Sequence, residues 1–230
     1  MLKTYFYDVS ELDDDAIFEK YMREVSEYRK AKTEKMRFRK DKKLSLGAGI
    51  LIGRGLCEFG LRECDMVYGT RENGKPFFEN APELRFNVSH SGTMVMCAFS
   101  DVEVGCDIEK IAEADMKIAR RFFCEEEFDA IANAADRDVM FCRFWTLKES
   151  FMKCTGLGMK LPLNAFCIHL GDEITVTCDS VEGEFEFKEF DTEGYCAAVC
   201  TNSEFGIIGT NLLNLCRGEL RSPADIICAK

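Results

Sequence analysis

The 230-residue sequence predicts an α+β fold built from two similar halves, residues 1–102 and 103–230. Three observations predict it. Short strand-like apolar runs recur in both halves, helical periodicity recurs in both halves, and the composition is that of an ordinary globular chain, 47% hydrophobic and 31% charged. The likeness lies in the pattern of elements; no strong repeat of residues accompanies it.

Residues 2–8 read as a first strand. Asp13, Asp14 and Asp15 offer N-cap carboxylates to a helix running to about Arg29, with Ile17, Tyr21, Val25 and Tyr28 on one face. A basic island follows, nine Lys and Arg between Arg29 and Lys43 against only Glu34 and Asp41. Leu44, Leu46, Ile50 and Leu51 then mark a second helix, and the interleaved Gly47, Ala48 and Gly49 permit close packing. Residues 72–76 read as a turn from their Asn-Gly and Gly-Lys-Pro content. Strands are expected over 84–89, 94–99 and 104–108. Residues 115–156 are helical by pattern, ended by Gly156 and Gly158. Four more strands are expected, over 166–170, 174–178, 185–190 and 195–200. The last thirty residues have no readable pattern.

The net charge of −11 argues against general nucleic-acid binding. No apolar run approaches the ~18 residues that cross a bilayer. The start of the chain lacks the apolar core and cleavage site of a secretory signal, so a cytoplasmic protein is expected. The 13 cysteines form no C-x-x-C pair and there are only two histidines, His90 and His169, which excludes a structural zinc site. Cys97, Cys142, Cys167, Cys196 and Cys200 lie in apolar runs and are expected to be reduced and buried. A basic island on an acidic chain suits either a local anionic ligand or a solvated helix face.

Three stretches carry the chemistry. In Gly105-Cys106-Asp107-Ile108-Glu109-Lys110, strand alternation points Asp107 and Glu109 the same way and turns Ile108 into the core. Two carboxylates so placed repel unless a cation lies between them, and hard oxygens are what Mg²⁺ prefers. Alone, the pair reads equally as a solvated strand face. Asn87-Val88-Ser89-His90-Ser91-Gly92 ends a strand and enters a turn. Ser89 and His90 face opposite ways there, so they suit ligand contacts better than a nucleophile–base pair. In the helical stretch from Phe144 to Lys153, Glu149 and Lys153 share one face.

Taken in this order, N-V-S-H-S-G, then G-C-D-I-E-K, then F-W-T-L-K-E-S-F-M-K, the three stretches resemble the 4'-phosphopantetheinyl transferases. The likeness is to the large pseudo-dimeric type that activates carrier proteins of nonribosomal peptide and polyketide synthases. Gly74-Lys75-Pro76 and Leu161-Pro162-Leu163 extend the match, which is weaker at the N-terminus and fades in the last thirty residues.

The resemblance implies two halves related by a pseudo-twofold, with the active site in the cleft between them, in a monomer. It implies transfer of the 4'-phosphopantetheine of coenzyme A to a serine of an apo carrier protein, with release of adenosine 3',5'-bisphosphate. It implies Mg²⁺, or Mn²⁺ in its place, held by Asp107, Glu109 and Glu149. Glu149 would serve as base and Lys153 would meet the phosphates. Ser89, His90 and Lys75 match coenzyme A contacts. From the basic island, Arg37, Lys42 and Lys43 are the expected 3'-phosphate ligands. Lys148 would neutralise charge or pack structurally, and Glu127 matches an auxiliary acidic position. Neither nucleic acid nor membrane is an expected partner. A Mg²⁺-dependent phosphoesterase would use the same carboxylates but leaves N-V-S-H-S-G unexplained. A non-catalytic binder of coenzyme A or carrier protein would not need all three carboxylates.

Overall fold

The computed structural model describes residues 1–202 and 212–214. β1 (Leu2–Asp8) pairs antiparallel with β5 (Met94–Ser100), and β5 pairs antiparallel with β4 (Arg85–Ser91). β11 (Leu212–Asn214) joins the outer side of β1 in parallel. The remainder of residues 203–230, which the sequence left unread, lies outside the described residues. A small hairpin of β2 (Tyr68–Thr70) and β3 (Pro76–Phe78) closes around the expected turn.

The first helical region corrects the sequence reading. The helix capped by Asp14 is α1 (Asp15–Glu24); it stops at Val25, where ψ is 162°, rather than running on to Arg29. Ser26 then accepts a hydrogen bond from the Arg29 amide at 3.2 Å and starts α2 (Glu27–Glu34). A serine side chain is a good N-cap because it satisfies an amide that has no helical partner. That signal was hidden inside an unbroken apolar spacing. α3 (Arg39–Glu58) begins within the basic island, so the island is divided between two helices. The glycines of α3 do serve close packing. A Cβ on Gly55 would overlap the Phe99 ring, and one on Gly47 would overlap Val9.

The second sheet has the order β6 (Val104–Lys110), β10 (Tyr195–Asn202), β9 (Phe185–Thr192), all antiparallel. A hairpin of β7 (Phe166–His169) and β8 (Thr175–Cys178) lies beside it. The stretch 115–156 is helical but forms three helices, α4 (Met116–Phe122), α5 (Glu125–Asn133) and α6 (Arg137–Thr155). Gly156 ends α6 in the left-handed conformation, φ 70°.

Side-chain alternation stacks these parts in layers. Tyr5, Tyr7, Val95, Cys97 and Phe99 face α3. Their neighbours Leu2, Phe6, Met96 and Ala98 meet Val104, Cys106 and Ile108 of β6 in a core between the sheets. The outer face of the second sheet, with Ala198 and Cys200, packs on Leu147, Phe151 and Cys154 of α6. The expected α+β fold is what forms: each of the two larger sheets is covered by one long helix.

Cys97, Cys142 and Cys200 are free and buried, as expected, whereas Cys196 is free but only half-buried. Cys167 is not free: it forms a disulfide with Cys124, with the Cα atoms 5.9 Å apart and a sequence separation of 43. Packing of the start of α5 against β7 brings the two together, and no local spacing announces such a contact.

Candidate active site

β6 places the first two carboxylates. Its even-numbered residues Val104, Cys106 and Ile108 fill the core between the sheets, which turns Gly105, Asp107 and Glu109 toward α6. Gly105 has a specific reason to be glycine. A Cβ there would overlap the Ser150 carbonyl and the Cys154 amide, so only a bare backbone lets α6 lie this close. That approach sets Glu149 and Lys153 over Asp107.

Asp107 is buried, with 2% of its surface exposed. Its Oδ1 accepts hydrogen bonds from Lys153 Nζ at 2.6 Å and Ser89 Oγ at 2.7 Å. Its Oδ2 is buried with no hydrogen-bond partner among the described residues. Glu109 Oε2 accepts from Ser91 Oγ at 2.7 Å. Burial pushes the Glu109 carboxyl up, the Ser91 hydrogen bond opposes this, and the charges of Asp107 and Glu149 add to the rise. Glu149 is likewise raised, first by burial and then by the Asp107 charge. Burial works against the Lys153 ammonium, but the charges of Asp107 and Glu149 outweigh it and hold Lys153 above its ordinary range.

Three carboxylates and one ammonium thus share a desolvated point with excess negative charge. An all-oxygen donor set, with one carboxylate oxygen left without a donor, fits a hard divalent cation such as Mg²⁺. The three carboxylates are neighbours, though not gathered into a closed cage. Among the described residues, the only trio of candidate ligand atoms within 4.8 Å of one another is Cys124, Glu127 and Cys167. Those sulfurs are bonded to each other and both Glu127 oxygens accept from Lys148, so that trio has no coordination to offer. Lys148 and Glu127 are a fully buried structural pair, the second of the two roles expected for Lys148.

β4 separates this point from a cleft of about 330 Å³ between α2, α3 and the first sheet. Ser89 and Ser91 face β6, whereas Val88 and His90 face the cleft. Walls of Tyr28, Tyr68 and Phe86 offer apolar and aromatic surface, with Arg29 and Lys32 as cations. The Lys32 ammonium is pushed down by desolvation and by the Arg29 charge. The His90 imidazole is also pushed down, chiefly by desolvation.

Several expected ligand contacts sit differently. Lys75 is not free to meet a nucleotide: its ammonium donates to Glu103 Oε2 at 3.1 Å, Val104 O at 2.9 Å and Lys153 O at 2.9 Å. Three bonds exhaust a lysine, so Lys75 ties the β5–β6 connection to the end of α6. The Ser89 hydroxyl is bound to Asp107 and Lys153 rather than turned to the cleft. Arg37, Lys42 and Lys43 do not line the cleft. Arg37 is exposed over the Phe38 ring, Lys42 borders a separate surface hollow beside Glu19 and Arg23, and Lys43 pairs with Asp13. Arg37 precedes α3, and Lys42 and Lys43 lie on α3 away from the cleft, which Arg29 and Lys32 of α2 line instead. A three-residue helical spacing relates those two cations, and strand alternation relates Ser91 to Ser89. Both signals were present in the sequence and went unused.

Comparison with known proteins agrees with this geometry. Residues 14–101 match the family model for the N-terminal part of 4'-phosphopantetheinyl transferase, and residues 103–200 match the model for the 4'-phosphopantetheinyl transferase superfamily. The chain is 31% identical over 188 residues to 4'-phosphopantetheinyl transferase Sfp of Bacillus subtilis, covering 79% of this chain and 84% of that one. It is 34% identical to 4'-phosphopantetheinyl transferase psf-1 of Bacillus pumilus, covering 77% and 78%. With 4'-phosphopantetheinyl transferase gsp of Aneurinibacillus migulanus it shares 36% identity, covering 70% of each chain. Two matching family models that together span most of the chain, and relatives alike over most of its length, make this chain a member of the 4'-phosphopantetheinyl transferase superfamily.

Proposed function

We propose that the chain transfers the 4'-phosphopantetheine of coenzyme A to a serine of an apo carrier protein, acyl or peptidyl, releasing adenosine 3',5'-bisphosphate. The observation that carries this reading is the buried, unpartnered Asp107 Oδ2 among three carboxylates, one strand away from a cleft lined by cations and aromatic rings.

Asp107, Glu109 and Glu149 would hold Mg²⁺, with Mn²⁺ as its substitute. When bound, the ion would neutralise charge that builds on the diphosphate as it is cleaved. Lys153, kept cationic by Asp107 and Glu149, would meet the same phosphates from α6. Glu149, directly or through a water, would take the proton of the attacking serine. Arg29, Lys32 and His90 would receive the phosphorylated nucleotide in the cleft, with aromatic walls for the base.

The two halves, 1–102 and 103–230, would act together within one monomer: β4 belongs to the first, β6 to the second, and β11 of the second joins the sheet of the first. The location would be cytoplasmic, with neither nucleic acid nor membrane as partner; the net charge of −11 argues against nucleic acid. No helix among the described residues is long and apolar enough to cross a membrane.

The test is the intact mass of an apo acyl or peptidyl carrier protein after incubation with this protein, coenzyme A and Mg²⁺. A gain of one phosphopantetheine, lost with EDTA and lost in Asp107→Ala, is the expected result. An unmodified carrier in both assays, with coenzyme A still bound, would overturn it in favour of a non-catalytic binder.

A further inference from the structure

β4 and β6 lie side by side but belong to different sheets. Where a backbone ladder would otherwise run, three side chains of β4 reach across. Asn87 Oδ1 accepts from the Cys106 amide at 2.9 Å. Ser89 Oγ donates to Asp107 Oδ1 at 2.7 Å. Ser91 Oγ accepts from the Lys110 amide at 3.1 Å and donates to Glu109 Oε2 at 2.7 Å. Asn87, Ser89 and Ser91 are alternate residues of one strand, so a single face of β4 bears on both carboxylates of β6.

We propose that Ser91 is a positioning residue that aims the Glu109 carboxylate at the cation site. This rests on the reading of Asp107, Glu109 and Glu149 as that site. A serine hydroxyl has one proton. Because the Lys110 amide approaches the oxygen as a donor, that proton is directed to Glu109 Oε2. The backbone of β6 therefore sets the hydroxyl, and the hydroxyl sets the carboxylate. Glu109 is the end of a long side chain with several freely rotating bonds, and it is only half-buried, so packing alone does not define its direction. Asp107 is treated in parallel: Ser89 and Lys153 hold Oδ1, which leaves Oδ2 for a ligand.

The fold loses little when the hydroxyl is removed. Ser91 lies near the end of its strand, and the Lys110 amide it serves is exposed and can turn to water. Ser91→Ala therefore separates aiming from folding, and Ser91→Thr keeps the hydroxyl. Mn²⁺ is titrated into each variant in the presence of coenzyme A without carrier protein, and free Mn²⁺ is read by electron paramagnetic resonance. Thermal midpoints are recorded on the same samples. Removal of a group that orients a metal ligand typically weakens affinity about 10- to 100-fold. The expected result is about tenfold weaker Mn²⁺ binding in Ser91→Ala at a near-unchanged thermal midpoint, near-normal binding in Ser91→Thr, and loss of binding in Asp107→Ala. Normal binding in Ser91→Ala beside loss in Asp107→Ala would overturn the role of Ser91 while leaving the cation site in place. Normal binding in Asp107→Ala and Glu109→Ala would overturn the cation site itself, and the role of Ser91 with it. Equal weakening in Ser91→Ala and Ser91→Thr, with a lowered thermal midpoint in both, would make Ser91 a packing residue and overturn the proposal.

Discussion

Lys148→Met is the substitution that most directly tests how α6, which carries Glu149 and Lys153, is held. Lys148 and Glu127 both have fully buried side chains. Lys148 Nζ donates to Glu127 Oε1 at 2.7 Å, to Glu127 Oε2 at 2.8 Å and to Phe166 O at 2.8 Å, a complete set for an ammonium. These bonds tie α6, one residue before Glu149, to α5 and β7. Methionine would replace much of the stem volume and none of the donors. Glu127 would keep two amide donors, Ile168 N at 2.7 Å and Cys124 N at 3.0 Å, but would lose its counter-charge in a dry site. Breaking a buried pair from one side costs about 3–5 kcal/mol, and the two surviving amides place this case near the lower end, about 3 kcal/mol. Adding Glu127→Gln would remove the stranded charge while keeping an acceptor for one of the two amides. The double variant should therefore be more stable than Lys148→Met alone, with a coupling of at least about 2 kcal/mol. Urea unfolding with linear extrapolation measures all four proteins. A single-variant loss below about 1 kcal/mol, or strictly additive costs, would refute the view that this pair braces α6.

Two further outcomes follow from the placement of charges and cysteines. Lys32→Ala should raise the KM for coenzyme A about tenfold, the lower end for a charge-assisted hydrogen bond, with kcat little changed. Lys42→Ala, outside the cleft, should leave KM alone; steady-state kinetics on both variants decides, and the reverse ranking would discard the cleft assignment. Cys124→Ser with Cys167→Ser opens a loop of 43 residues. The chain-entropy model then predicts a loss of up to about 4 kcal/mol. Reductant should lower the thermal midpoint of the parent and not that of the double variant. A parent midpoint indifferent to reductant would count against a stabilising bond.

The elements that were legible are those whose signal is local. The strands around Val95, Ile108 and Val199 announce themselves by short apolar runs, and the end of α6 by Gly156. Asp107 and Glu109 could be placed on one face because a strand repeats every two residues. The breaks at Val25 and Phe123 were not legible, because a capping Ser or Cys inside a continuing apolar spacing is a weaker signal than the spacing itself. The basic island shows the consequence. Composition left an anionic ligand and a solvated helix face both open, and it could not separate Arg29 and Lys32, which line the cleft, from Arg37, Lys42 and Lys43, which do not.

By itself the sequence determined the α+β class, the acidic charge balance that argues against nucleic acid, and the identity of the three carboxylates and Lys153. These are properties of residue type, short-range periodicity and motif order. Tertiary structure alone decided that Lys153 bonds Asp107, that Lys75 is consumed inside the protein, that Cys124 meets Cys167, and that Ser91 bears on Glu109. Each of these joins residues 18 or more apart in sequence, from different elements. Whether such groups touch depends on how closely helices and sheets approach, as at Gly105 beneath α6, and that distance is set by packing across the whole chain rather than by any local pattern.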